Sequence, residues 1–140
     1  MNNKITIEAI VENTMDKVWM AWNDPEHIMK WAFASDDWEV PEATNDLKVG
    51  GRFMTRMAAK DKSAGFDFAG TYTEVVPNQK IAYTMDGDDA RTAVTLFEVF
   101  GEKQVKITTT FEMENENPEE MQQGGWQGIL NNFKKHAETL

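Results

Sequence analysis

An α+β fold, in which a curved antiparallel sheet of about six to seven strands wraps a long C-terminal helix, is predicted by three observations. Period-two alternation of apolar and polar residues, broken by turn-length segments, fills most of the chain between residues 4 and 112. Two short segments of helical spacing interrupt it after the first run. One long amphipathic stripe closes the chain. Hairpin-length connections make the sheet antiparallel. A sheet of that many strands curls, and only the last helix is large enough to cover its concave face.

The first strand spans residues 4–12. Ile5, Ile7, Ala9 and Val11 share one face, and Lys4, Thr6 and Glu8 the other. Asn13 and Thr14 then offer N-cap oxygens, and Met15, Val18, Trp19 and Trp22 recur at helical steps. Asp24-Pro25 starts a second short helix, with Asp as cap, Pro at the first position and Ile28 and Trp31 on its core face. Residues 38–44 form a weak strand that Pro41 assigns to a sheet edge or a bulge. Asn45-Asp46 and Gly50-Gly51 turn the chain. Residues 52–58 alternate, with Phe53 and Met57 inward and Arg52 and Arg56 outward.

After a loop over residues 60–65, Phe66, Phe68, Gly70 and Tyr72 share a strand face. Pro77-Asn78 leads to another, carrying Ile81, Tyr83 and Met85. Asp86-Gly87-Asp88-Asp89 reads as a hairpin tip. Residues 92–100 are apolar on both faces, which predicts a central strand. Gly101-Glu102-Lys103 makes a hairpin into Val105, Ile107, Thr109 and Phe111, which alternate with polar neighbours. Asn117-Pro118-Glu119-Glu120 reads as the start of the last helix, with a capping Asn and two Glu at the positive end of the dipole. Trp126, Ile129, Leu130, Phe133 and Ala137 form its stripe, and Lys134, Lys135 and His136 suit its negative end. Gly124 and Gly125 each cost about 1 kcal/mol relative to Ala inside a helix. Either the helix begins after them, or they let the backbone approach the sheet or a ligand closely. No repeat or linker divides residues 1–140, which read as one domain.

This order resembles the helix-grip fold of the SRPBCC superfamily, which includes the START lipid-transfer domains and the birch-pollen allergen (Bet v 1-like) group. Val18-Trp19-Met20-Ala21-Trp22-Asn23-Asp24-Pro25-Glu26, followed by Trp31, is similar to the signature of the family named for the activator of the heat-shock-protein ATPase, in its C-terminal domain. Val49-Gly50-Gly51-Arg52-Phe53 resembles the same family's "VGG.F" segment. Gly70-Thr71-Tyr72-Thr73-Glu74-Val75-Val76-Pro77 resembles its "G.Y.EV.P" strand. Gly125-Trp126 with Leu130 resembles its final helix. The resemblance covers nearly the whole chain in order. It implies a cavity between sheet and final helix. It leaves open lipid carriers, polyketide cyclases and aromatases, and co-chaperones, because fold does not choose among them. The chain has no counterpart of the N-terminal domain of the full-length co-chaperone, which ranks that role, and a chaperone partner, below ligand binding.

The 140 residues include five Trp, eight Phe and nine Met, a mixture of rigid and adaptable apolar side chains suited to enclosing a small molecule. The candidate ligand-binding residues are Phe53, Met57, Phe66, Phe68, Tyr72 and Tyr83 on strand faces and Trp126 and Leu130 on the helix stripe. Met121 near the helix start, Thr95 in the central strand and Trp31 complete the set. Interdigitation of the same side chains as a filled core is the alternative. Tyr72, Tyr83, Glu74, Thr95 and Glu98 are the polar candidates. An enzyme of the cyclase kind would need one of the titratable four inside the cavity.

A net charge of −10 with scattered basic residues argues against nucleic acid as a partner and disfavours anionic membranes. Without cysteine there is no disulfide framework or thiolate nucleophile. The N-terminal residues carry no secretory apolar region, and no stretch approaches the ~20 apolar residues of a membrane span, so a cytoplasmic location is expected. His27 and His136 read as surface or capping residues, and no catalytic triad order is present. Arg52 and Arg56 could orient an anionic head group only if the alternation were reversed. Asp86, Asp88 and Asp89 lack the glycine and bidentate glutamate of a calcium loop, and no metal or cofactor is expected. The acidic stretch over residues 112–120 reads as a solvated connection. Binding of a small hydrophobic, lipid-like or aromatic ligand is the leading expectation, with sheet edges that leave a homodimer open.

Overall fold

In a computed structural model, described here over residues 3–87 and 90–140, the chain orders as β1 (Lys4–Val11), α1 (Met15–Asn23), α2 (Pro25–Trp31), β2 (Trp38–Asn45), β3 (Arg52–Ala59), β4 (Gly65–Val76), β5 (Lys80–Met85), β6 (Thr92–Gly101), β7 (Gln104–Glu112) and α3 (Glu119–Ala137). The seven strands form one antiparallel sheet in the order β1-β7-β6-β5-β4-β3-β2. It curls around α3 as a half-barrel, the helix-grip arrangement. Asp88 and Asp89, and with them half of the expected hairpin tip, lie outside the described residues.

The alternation read from the sequence sets the inner face. Ile5, Ile7 and Val11 of β1 and Val105, Ile107, Thr109 and Phe111 of β7 are buried. Pro41 falls where it can do least harm: β2 is the sheet edge, and its register with β3 shifts between Glu39 and Glu42. β6 is central in the sheet, but its second apolar face is not covered. Val99 and Phe100 are mostly exposed, because all three helices pack on the concave side.

The terminal helix is fastened mainly at its C-terminal half. Phe133 is fully buried, with its ring centroid 4.8 Å from those of both Trp22 and Trp31, in edge-on contacts. Trp22 in turn meets Trp31 at 5.0 Å and Phe97 at 5.5 Å. Thr14 is the N-cap of α1 and no side chain caps that end, contrary to the expected capping by Asn13 or Thr14; Asn13 instead ties the two ends of the chain together. Its Oδ1 accepts from Thr14 N at 2.8 Å, while its Nδ2 donates to Ala137 O at 2.8 Å and to Leu140 O at 3.2 Å. Asn132 Nδ2 donates to Trp31 O at 2.9 Å, and Lys134 Nζ to Ile10 O at 2.6 Å.

Other local expectations need correction too. Pro118, not Asn117, is the N-cap of α3, and no side chain caps that end. Asn117 is engaged by Glu114 instead, whose Oε1 accepts from Asn117 N at 2.8 Å. Buried Gln122 binds the connection to the helix, donating to Asn117 O at 2.7 Å and accepting from Glu114 N at 3.0 Å. His27 and His136 are not independent surface residues. His27 Nδ1 and His136 Nε2 lie 2.8 Å apart and join α2 to α3.

Truncating Phe133 to Ala removes the contact that seats α3. It should cost about 3–5 kcal/mol in urea unfolding, the range for large-to-small changes in a core. The histidine pair sets a pH dependence. Burial, then the neighbouring His27 and Lys30, hold His136 below its ordinary value of 6.5. The unfolded chain therefore takes up this proton more readily. Stability from this group is full above pH 6.5 and is lost as the pH falls through that value toward the depressed folded one. Urea midpoints should fall on acidification from pH ~7 to ~5, and His136→Gln should flatten that dependence.

Candidate functional site

A cavity of about 400 Å³ lies between the sheet and α3. Ile7, Ile81, Thr95 and Thr109 line its floor. The threonines are short, and their hydroxyls satisfy each other at 2.8 Å, so the floor is low without a buried polar debt. One wall is aromatic. Phe53 has its ring centroid 5.5 Å from Phe68, 5.3 Å from Tyr72 and 4.8 Å from Tyr83. Gly70 permits this packing: a Cβ there would stand 2.5 Å from Thr84 O and 3.0 Å from Phe53 Cζ. The roof is Gly125, Trp126, Ile129 and Leu130 of α3. Trp126 stacks on Phe111 at 3.9 Å and meets Phe68 edge-on at 6.0 Å, so it bridges both sides. Trp22, Ile28 and Trp31 line the region beneath α1 and α2, and Met57, Phe66 and Met121 line the mouth. Phe66 is 50% and Met121 62% exposed, so these two face both the cavity and solvent.

All eleven candidate residues, Trp31, Phe53, Met57, Phe66, Phe68, Tyr72, Tyr83, Thr95, Met121, Trp126 and Leu130, lie on this one cavity. Trp31 is the most structural of them: its ring packs in the Trp22–Phe133 cluster and its Nε1 donates to Ala21 O at 2.9 Å. Of the titratable candidates, Tyr72 and Tyr83 line the cavity, whereas Glu74 pairs outside with Lys80 at 3.1 Å and Glu98 is exposed. Arg52 and Arg56 point outward, Arg52 to Asp86 and Arg56 to Asp67 at 3.2 Å. Glu114 and Asn117, read as part of a solvated connection, line the cavity.

The sequence reading did not place Thr55, Asn45 or Arg91 in the site. Thr55 sits between Phe53 and Met57 in period two, a signal that was legible. Arg91 shares the inward phase of Thr95 but precedes β6, and Asn45 read as a turn residue.

The two tyrosines differ in their partners. Tyr72 Oη donates to Asn45 Oδ1, and Asn45 Nδ2 donates to Asn23 O at 2.8 Å. That chain commits the Tyr72 proton and leaves its oxygen as an acceptor. The Tyr83 hydroxyl makes no hydrogen bond to any described residue. Burial, with Tyr72 nearby, pushes Tyr83 well above the ordinary tyrosine range. Burial does the same to Tyr72, against the opposing Asn45 bond and with Asp46 adding to it. Both remain protonated at neutral pH. Among the described residues no group of three or more His, Asp or Glu is placed to hold a metal ion. No helix among them is long and apolar enough to cross a membrane.

The fold and cavity define a helix-grip module of the START-like kind. The sequence matches the family described as activator of Hsp90 ATPase homolog 1-like protein over residues 12–138, and the chain belongs to that family. It is similar to the AHSA1-like protein of Aeromonas hydrophila, with 44% identity and a TM-score of 0.89, over 98% of this chain and 93% of that one. It is also similar to a Cytophaga hutchinsonii protein, with 48% identity and a TM-score of 0.81, over 97% and 92%. A Chromobacterium violaceum protein at 22% identity shares the fold, with a TM-score of 0.86 over 97% and 98%. No curated protein matches the sequence.

Gly124 and Gly125 both lie inside α3, and a Cβ at either meets nothing within 4 Å. Neither permits a close approach of protein to protein. Gly124 faces solvent, whereas Gly125 lines the cavity. Gly124→Ala and Gly125→Ala should each stabilise the chain by about 0.5–1 kcal/mol in thermal or urea unfolding. Only Gly125→Leu should reduce the space available to a guest, read as weaker uptake of a hydrophobic dye.

Proposed function

We propose that this chain binds a small hydrophobic molecule in the cavity beneath α3. The observation that carries the reading is the lining itself: aromatic and aliphatic side chains from four strands and three helices converge on about 400 Å³, with a polar minority that includes Arg91 and Glu114 among them. That size and mixture are those of small-molecule pockets. Burial of the guest would supply affinity at roughly 25 cal/mol per Å² of apolar area, and the polar groups would orient it. Family membership supports a ligand-binding or activator-type module in general. The cavity favours the first.

A cyclase-like enzyme is the second reading, since Tyr72, Tyr83 and Glu114 give the cavity titratable groups. Tyr72 is already committed to Asn45, and no arrangement of a nucleophile with a base is present among the described residues of the cavity, so binding is the better supported reading. An activator-type role toward a chaperone would use an outer surface, such as the one where Val99 and Phe100 are exposed, and would make no demand on the cavity. Solution in the cytoplasm and a small-molecule partner, rather than nucleic acid, accord with the net charge of −10.

Native mass spectrometry of freshly purified protein, followed by denaturing extraction, should release a small hydrophobic mass. Trp126→Ala and Phe68→Ala should lower the melting-temperature gain on ligand addition more than they lower the melting temperature of the chain alone. Equal losses with and without ligand would assign both residues to folding only.

A further inference from the structure

The carrier reading says nothing about which end of a guest is polar, and the tyrosine pair addresses that. Resting on that reading, we infer that the ligand carries an uncharged hydroxyl or carbonyl oxygen that accepts a hydrogen bond from Tyr83. Three observations lead there. Tyr83 is enclosed by Phe53 at 4.8 Å, Phe68 at 6.2 Å and Tyr72 at 6.4 Å, and it lines the cavity. Its hydroxyl makes no hydrogen bond to any described residue and is not sealed off by its neighbours, so it stands at the cavity as an uncommitted donor. Tyr72 beside it donates its hydroxyl hydrogen bond to Asn45 Oδ1 and presents only an acceptor. A donor and an acceptor therefore face the same end of the cavity. A hydroxyl on the guest satisfies both, and a carbonyl satisfies the donor.

The choice of an uncharged oxygen follows from the surroundings. A carboxylate seated there would be desolvated among aromatic rings beside the lone pairs of Tyr72. Arg91 lines the same cavity, so the test includes an anion. The volume of about 400 Å³ holds roughly 13–20 non-hydrogen atoms at ~20–30 Å³ each, the scale of a two- or three-ring molecule.

Three probes with one skeleton separate the contributions: 2-naphthol, 2-methylnaphthalene and 2-naphthoate, titrated into ¹⁵N-labelled protein near neutral pH and followed by amide chemical shifts. The inference expects 2-naphthol to bind roughly tenfold or more tightly than 2-methylnaphthalene, since a site built to hydrogen-bond a hydroxyl rejects the analogue lacking it. Tyr83→Phe should abolish that preference, leave 2-methylnaphthalene unchanged and not lower the melting temperature. A merely structural tyrosine would lower it. The wild-type comparison stands whether or not the variant folds. Equal binding of 2-naphthol and 2-methylnaphthalene overturns the Tyr83 anchor while the carrier reading survives. Tightest binding of 2-naphthoate overturns it in favour of charge pairing at Arg91. Binding of none of the three, up to their solubility, overturns the carrier reading and the anchor together.

Discussion

Phe133 between Trp22 and Trp31 is the contact on which the position of α3 depends. It joins the last helix to the two short helices, and through Trp22 to Phe97 of the central strand β6. The polar fastenings fall at the same end: Asn13 to Ala137 and Leu140, Lys134 to Ile10, His27 to His136. Toward its start α3 is held by Gln122 through the connection from β7, and by Trp126 stacked on Phe111. Among helix–strand contacts α3 packs most closely on β1, at one edge of the sheet. The inner faces of β3, β4 and β5 are therefore spanned rather than filled. The cavity is a consequence of where the helix is anchored.

That geometry explains the distribution of side-chain size. Where α3 touches its neighbours the residues are large and fully buried, as with Phe133 and Phe111. Where it spans, the floor has threonines and the roof has Gly125 beside the larger Trp126, Ile129 and Leu130. A helix chosen for stability alone would not carry two adjacent glycines, each costing about 1 kcal/mol. Gly125 leaves space beneath the helix. Gly124, which faces solvent, has no packing reason of that kind in the structure.

The fold was legible because its signals are periodic. Strand faces, the α3 stripe and the Asp24-Pro25 helix start depend on neighbours within a few residues, and the structure places each of them as the pattern requires. The inward set of the site was legible for the same reason, since Phe53, Phe66, Phe68, Tyr72 and Tyr83 follow from alternation. What alternation cannot carry is pairing across long separations. His27 meets His136 and Asn13 meets Ala137 only because the helix returns to the first elements. Asn45 shows the same limit. As part of a dipeptide it reads as a turn, yet its side-chain carbonyl accepts a hydrogen bond from the Tyr72 hydroxyl, two strands away. The exposure of Val99 and Phe100 escaped the pattern too. A strand apolar on both faces does not say whether a second layer exists to cover it.

The cavity is stiff in one part and adaptable in another, and this bears on selectivity. Phe53, Phe68, Tyr72 and Tyr83 hold one another in tilted and edge-on contacts, so none can turn without disturbing its neighbours. Met57, Phe66 and Met121 stand at the mouth, and the methionines have unbranched side chains with several rotatable bonds. A guest would meet yielding surface at the mouth and fixed surface along the aromatic wall. Shape and hydrogen bonding beside that wall would then discriminate among guests. The mouth would tolerate variation in whatever part of the molecule remains there.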